Sequence, residues 1–469
     1  MFFPKTARVF CKDIFSSHFV TSRVLLQSSN FTLRNSRSDL FRSLPYANSS
    51  SSHHTPSEES TLPSILNKIV KYSIRQVPAA LITNLIIASI ALFIPADLLY
   101  AWHQNRYNER LLNETIEKGT RPKINVMTNK FVPRPVILER LKKILQPDKD
   151  TSNYYMVCGE DGTGKTTLTK IVSKEAKQGV IYINIQGSDN KKSDALEDFG
   201  VAFGKALNFT FEEHVAFSKK FIKKILGDVN EKSNQEKWKR AFDTFKRISA
   251  VYRAKHGKPP VIIYDNINRL IPEYSNILDF LQDDAKDNAD DREYIAVFVC
   301  SDGSVPRRMR MRSAWSRAKP VIEIGDLSEK ESMQYLIDKR KIKEDDAKKL
   351  YELVGGRIVT LKSVADDFIA GQSFENIKAI VFNDIYNNFE KAKINPNQKN
   401  HKMAKIIIKA LLNSKNVLHI SMLRELTKME PDEFLENNIF AYHPRDMTVT
   451  FQSRSTERYI RENADKFIK

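Results

Sequence analysis

The chain has 469 residues, a mass of 54.0 kDa and a formal net charge of +18. Its 41% hydrophobic fraction is ordinary for globular proteins and leaves room for roughly two or three compact domains plus a tail. The three cysteines, Cys11, Cys158 and Cys300, are too scattered for zinc-ligand spacing or a disulfide framework, which argues against a secreted, disulfide-stapled protein. The positive balance favours acidic partners such as nucleic acid, anionic lipid or phosphate groups, although basic targeting and membrane-flanking segments would account for part of it.

The chain opens on a Ser- and Arg-rich stretch. Up to about Ser52, Arg8, Lys12, Arg23, Arg34, Arg37 and Arg42 are opposed only by Asp13 and Asp39. With Phe2, Phe3, Val9, Phe10, Ile14 and Phe15 along one side of a helix, residues 1–60 read as a mitochondrial transit peptide and linker; a plain basic tail is the rival reading. No charge occurs between Arg75 and Asp97. Segment 77–100, bracketed by Pro78 and Pro95 and followed by Trp102, is therefore expected to be a single transmembrane helix, against the alternative of a buried core helix. Together these place the chain in the mitochondrial inner membrane. Basic residues flank the segment on both sides, so its orientation is left open. A polar linker follows over 101–130.

From Phe131 the pattern changes. Apolar runs alternate with amphipathic stretches, the mark of an α/β domain with a parallel sheet and crossover helices. The expected strands are Tyr154–Cys158, Val180–Ile185, Val261–Tyr264, Tyr294–Cys300 and Val321–Ile324, with a long helical stretch from Asp194 to His256. A nucleotide-binding domain is expected over 131–326 and a helical lid over 327–395. Residues 400–469 would form a winged-helix-like end, with helices before a hairpin of Ile439–His443 and Met447–Phe451.

The sharpest motif is Gly159-Glu160-Asp161-Gly162-Thr163-Gly164-Lys165-Thr166, continued by Thr167 into a helix. It has the P-loop form G-x-x-x-x-G-K-[ST] between a strand and a helix. The glycines let backbone N–H groups turn toward phosphate oxygens, and the helix N-terminus adds its positive end. Lys165 would reach the β- and γ-phosphates of ATP, and the Thr166 hydroxyl would ligate Mg²⁺. Downstream, Val261-Ile262-Ile263-Tyr264-Asp265 is an apolar run ending in a carboxylate, which suits a Walker B strand with Asp265 beside the metal. Asn266 follows it and cannot accept a proton from an attacking water. Slow hydrolysis is the expectation.

The order of these motifs resembles the AAA+ superfamily and, within it, the STAND and archaeal-type ATPases, which are similar to the origin-recognition ATPases. Phe131-Val132-Pro133-Arg134-Pro135 is similar to the family's opening segment, which implies a nucleotide contact for Arg134. Ser301, after the strand Tyr294–Cys300, stands where the family places a sensor near the γ-phosphate. Leu353-Val354-Gly355-Gly356-Arg357 resembles the start of a lid helix, which implies that Arg357 is a second sensor. The basic loop Arg307–Arg317 is either a solvated surface or the source of an arginine finger in a homo-oligomer. Ser328 and Glu331 have capping-box spacing. The resemblance spans about Phe131 to Gly371.

Three outputs stay open: a slow nucleotide-dependent switch or scaffold acting on an unidentified protein client, a nucleic-acid-binding ATPase that maintains a mitochondrial genome, and a ring-forming remodelling ATPase. Lys402, Lys405, Lys409 and Lys415 give the C-terminal end the basic character the second would use.

Overall fold

The computed structural model describes residues 79–124, 131–176, 178–185, 195–209, 237–301, 303–428, 435 and 438–468. The transit-peptide segment lies outside the described residues. The chain divides into two compact units, Met1–Asn84 and Leu85–Lys469. The second contains both sheets.

The transmembrane helix expected over 77–100 is not supported. Ala79–Lys118 forms one helix, α1, yet among the described residues no helix is long and apolar enough to cross a membrane. The uncharged part of α1, from Ala79 to Ala96, reaches about 27 Å at a rise of about 1.5 Å per residue, short of a hydrocarbon layer of roughly 30 Å. Asn84, Ser89 and Pro95 dilute its apolar character further. From Asp97 onward the helix is polar, and its end belongs to a globular core. Leu112 and Ile116 are buried with the aromatic residues behind the main sheet. Glu117 meets Lys255 at 2.8 Å and His256 at 2.9 Å.

After α2 (Pro135–Leu145) comes the α/β layer. Its strands are β1 (Tyr155–Cys158), β2 (Val180–Asn184), β3 (Val261–Asp265), β4 (Ile295–Val299) and β5 (Ile322–Glu323). All five pair in parallel in the order β2-β3-β4-β1-β5. The five expected strands are thus all present, four of them trimmed at their ends and β3 extended by Asp265. Every residue of β3 and β4 is buried, as expected for a parallel sheet covered on both faces. The period of two sorts the side chains. Ile262 and Tyr264 join the core formed with α4 (Ala195–Leu207), α5 (Lys237–His256) and α6 (Ile271–Asp290). Val261 and Ile263 join the core on the opposite face, with Leu141 and Ile144 of α2 and with Leu168 and Val172 of α3 (Lys165–Glu175).

Past α7 (Ser304–Arg310) and β5 the chain turns helical. The capping box forms as its spacing requires: Glu331 N donates to Ser328 Oγ at 3.2 Å, and Ser328 N donates to Glu331 Oε2 at 2.8 Å. This opens α8 (Glu329–Gln334), which is followed by α9 (Glu344–Val354), α10 (Ile358–Ile369), α11 (Phe374–Lys391) and α12 (His401–Asn413). A second sheet then combines β6 (Leu418–His419), which leads into α13 (Ile420–Thr427), with the antiparallel hairpin of β7 (Phe440–His443) and β8 (Thr448–Phe451), in the order β6-β8-β7. The short β6 has no signal in the sequence. Two last helices, α14 (Arg454–Glu462) and α15 (Ala464–Phe467), close the chain. Lid and C-terminal elements share one hydrophobic core, in which Leu361, Phe389, Ile407, Val449, Tyr459 and Phe467 are all buried.

Candidate nucleotide-binding site

The loop after β1 turns through left-handed backbone at Gly159, Gly162 and Gly164, with φ of +146°, +81° and +93°. Gly159 is required for a second reason. A Cβ there would stand 2.1 Å from the carbonyl oxygen of Ile324, so the loop passes directly against the end of β5. Gly164 precedes the first residue of α3, Lys165, and no side chain caps that end. The first-turn N–H groups of α3 therefore keep their donor capacity and the positive end of the helix for an incoming anion.

Within the loop, the Glu160 carbonyl oxygen accepts hydrogen bonds from Lys165 Nζ at 2.8 Å and from Thr163 Oγ1 at 2.9 Å. Lys165 is buried, and burial holds its pKa below the ordinary lysine value against the pull of Asp161, Glu160 and Asp265. A buried ammonium bonded to a neutral carbonyl is suited to receive phosphate as its counter-charge. Burial also pushes the Glu160 carboxyl up to about 7, although Gln452, Arg357 and His443 favour its charged form. Asp161 is exposed, while Thr166 and Thr167 are half-buried at the start of α3.

Asp265 ends β3 at 1% exposure. Its Oδ1 accepts from Thr166 Oγ1 at 3.2 Å, and its Oδ2 accepts from the Tyr182 hydroxyl. Burial raises the carboxyl pKa, and these two hydroxyls resist the rise. Both partners are neutral, so among the described residues no cation touches the negative charge. That arrangement fits a divalent cation at Thr166 and Asp265. Among the described residues no group of three or more His, Cys, Asp or Glu side chains could hold a metal alone. A Mg²⁺ ion would then share these protein ligands with phosphate oxygens and water, as this ion commonly does.

Asn266 adopts left-handed backbone, φ 62°, and its Nδ2 donates to Asn184 Oδ1 at 2.7 Å. Ser301 lies two residues beyond Val299 of β4. That strand runs between β3 and β1, and Val299 is in register with both Asp265 and Val157. Ser301 therefore sits at the strand ends between Asp265 and the phosphate loop.

The two arginines singled out by sequence converge on the junction between β5 and the lid. Arg134 Nη1 donates to the Gly325 carbonyl at 2.7 Å and Nη2 to that of Asp326 at 3.3 Å, with Glu331 3.8 Å from Nε. Arg357 is buried and makes three kinds of contact. Its Nε meets Asp326 Oδ1 at 2.5 Å, Nη1 donates to the Asp161 carbonyl at 3.0 Å, and Nη2 donates to the Gln452 carbonyl at 2.7 Å. One guanidinium thus joins the phosphate loop, the lid junction and the strand end after β8.

The hairpin reaches the same place. His443 Nδ1 lies 2.5 Å from Glu323 Oε1, and its Nε2 lies 2.8 Å from Thr450 Oγ1. Burial lowers the His443 pKa, but the hydrogen bond and charge of Glu323 outweigh it, and the net shift is upward. A cavity of about 710 Å³ separates loop from hairpin, with Gly159, Glu160, Arg357, His443 and Gln452 among its walls. Sequence reasoning missed Tyr182, Asn184, Glu323, His443 and Gln452. The signal available for the first two was a Tyr-x-Asn spacing in an otherwise aliphatic strand.

The basic loop is spoken for within the chain. Arg308 forms a two-pronged pair with Asp279, Arg312 meets Asp283 at 2.5 Å, Arg317 pairs with Asp290, and Arg310 donates to the Pro444 carbonyl at 2.6 Å. The acids at 279, 283 and 290 all lie on α6, whose spacing brings them to the side facing the loop.

A family model described as an ATPase domain predominantly from Archaea matches residues 131–364. No curated protein matches the chain. Among solved structures, a Walker-type ATPase of Pyrococcus abyssi is 13% identical, covering 72% of this chain and 98% of its own, with a TM-score of 0.47. The ORC2 protein of Aeropyrum pernix, solved in ADPNP–ADP complexes, is 14% identical over 73% of this chain and 98% of its own, with a TM-score of 0.38. The ORC1 protein of the same organism, solved with DNA, is 13% identical over 72% and 94%, with a TM-score of 0.35. Identities and scores this low transfer no activity or partner. Residues 131–364 are a P-loop ATPase domain of the family found predominantly in Archaea.

Proposed function

We propose that the chain is a slow, Mg²⁺-dependent ATP switch whose lid and C-terminal hairpin read the occupancy of the phosphate loop. The observation that carries this is Arg357, which binds the Asp161 carbonyl, the Asp326 carboxylate and the Gln452 carbonyl at once. Anything that changes the charge or shape of the loop changes the terms on which this guanidinium holds lid and hairpin together.

In this reading the backbone N–H groups from Gly159 to Thr166 cradle the phosphates, Lys165 supplies the positive charge, and Thr166 with Asp265 holds the cation. Mg²⁺, when bound, neutralises phosphate charge as it develops. Ser301 would donate toward the terminal phosphate. Asn266 orients but does not deprotonate the water, because an amide has no basic oxygen for the task. Its bond to Asn184 supports slow turnover. The test is turnover by the full chain beside Asn266→Glu: a rise of about tenfold or more in the variant supports the reading, whereas brisk turnover by the natural chain would refute the slow-switch reading.

A second reading rests on α12, where Lys402 and Lys409 are exposed, with Lys415 exposed just beyond. These would meet nucleic-acid phosphates. DNA affinity that falls steeply with salt, and falls again in a Lys402→Glu, Lys409→Glu, Lys415→Glu variant, would support it; no binding at low salt would remove it. The basic N-terminal segment supports a mitochondrial location, which imaging of the full chain with and without residues 1–60 would test. The pairing of Arg308, Arg312 and Arg317 with α6 leaves the ring-forming reading with the least support.

A further inference from the structure

β2 presents two side chains to the end of β3. Tyr182 and Asn184 are two apart on one strand, so they face the same side of the sheet, and β2 pairs Tyr182 with Ile263 and Asn184 with Asp265. The Tyr182 ring lies in the core that also holds Leu168 and Val172 of α3. Its hydroxyl donates to Asp265 Oδ2, opposite the oxygen that accepts from Thr166 Oγ1. Asn184 in turn accepts the Asn266 amide. One strand therefore fixes both Asp265, which ends β3, and Asn266, which follows it.

We propose that Tyr182 is a positioning residue for Asp265, holding its carboxylate so that Oδ1 faces Thr166 and the bound cation. This rests on the reading of Thr166 and Asp265 as the Mg²⁺ ligands. A carboxylate carried on single bonds turns freely, and donors on its two opposite oxygens fix one orientation. The chemistry of the donor matters. A lysine or arginine at position 182 would fix the carboxylate equally well but would cancel its charge, and the cation would lose its counter-ion. A phenol orients without neutralising. Tyr182 at 4% exposure also seals the carboxylate from water, which keeps the charge poorly screened and available to the cation.

The rival is that Tyr182 simply fills the core and donates to the nearest acceptor. Tyr182→Phe separates the two, since it keeps the ring and removes the bond. ATP affinity of the full chain is measured by calorimetry with Mg²⁺ and again with a chelator, for natural chain and variant. Positioning predicts that Y182F keeps its Mg²⁺-free affinity within about twofold while the gain from Mg²⁺ shrinks about tenfold. An unchanged Mg²⁺ gain, or an equal loss under both conditions, would overturn the proposal. If the natural chain itself shows no gain from Mg²⁺, the metal-site reading fails first and this proposal with it.

Asp265→Asn supplies the second arm. Adding Y182F to D265N should cost nothing further in the Mg²⁺ gain, and additive losses would contradict the proposal. Should Y182F alone lose its thermal transition, the D265N/Y182F double variant should regain it, because no buried charge then needs the phenol. Failure of both to fold would assign Tyr182 to packing and overturn the inference.

Discussion

The phosphate loop and the lid start at Gly355–Val359 meet across a shared strip of backbone, and the two halves of that contact are built alike. Gly159 approaches the Ile324 carbonyl from the loop side; a Cβ on Gly356 would stand 1.9 Å from the Leu327 carbonyl on the lid side. Between them, residues 324–327 carry Asp326, the partner of Arg357, and the carbonyls that Arg134 binds. Gly325 and Gly371 differ, since a Cβ on either would meet nothing within 4 Å. These glycines are thus of two kinds: those that let backbones touch, and those beside which a side chain would find open space.

Gly159→Ala and Gly356→Ala should each destabilise the chain by more than about 3 kcal/mol, because the clash is with backbone and not with a flexible side chain; thermal or denaturant unfolding reads this directly. Arg357→Ala should follow at about 2 kcal/mol, since it removes a buried guanidinium that donates at once to the Asp161 and Gln452 carbonyls and to the Asp326 carboxylate. It should also loosen the hairpin, seen as faster hydrogen exchange over Phe440–Phe451 than in the natural chain.

Glu160 gives a pH-dependent effect. Its carboxyl pKa is raised from about 4.5 to about 7, so its contribution to stability is complete below about pH 4.5 and lost as pH rises through about 7. Glu160→Gln stays neutral throughout. Its free energy of unfolding should gain on that of the natural chain as pH rises from about 5 to 8, by on the order of 1 kcal/mol after screening. A gap that narrows over that range would contradict the assigned shift. Smallest of all, Gly325→Ala should change stability by no more than about 0.5 kcal/mol.

Much of this site was legible in the sequence because its pieces are local. The phosphate loop, Asp265 at the end of a buried strand, and the Ser328–Glu331 cap each announce themselves within a few residues, where the physics is a backbone turn or a single bond. What stayed hidden is contact between distant segments. His443 is 120 positions from Glu323, and Tyr182 is 83 positions from Asp265; no periodicity encodes those meetings. Position also misled for charge. The Arg307–Arg317 run looks solvated until α6 supplies its carboxylates. The helix at Ala79–Lys118 misled in a different way, since an apolar stretch read in isolation hid the polar continuation that joins it to the core.

We propose that the loop from Gly159 to Thr166 binds ATP through Lys165. Calorimetric titration of the full chain with ATP and Mg²⁺, set beside Lys165→Ala of unchanged thermal stability, tests it most directly. Saturable binding by the natural chain and a loss on the order of a hundredfold in the variant are expected; equal affinities for the two chains would rule out this role for Lys165.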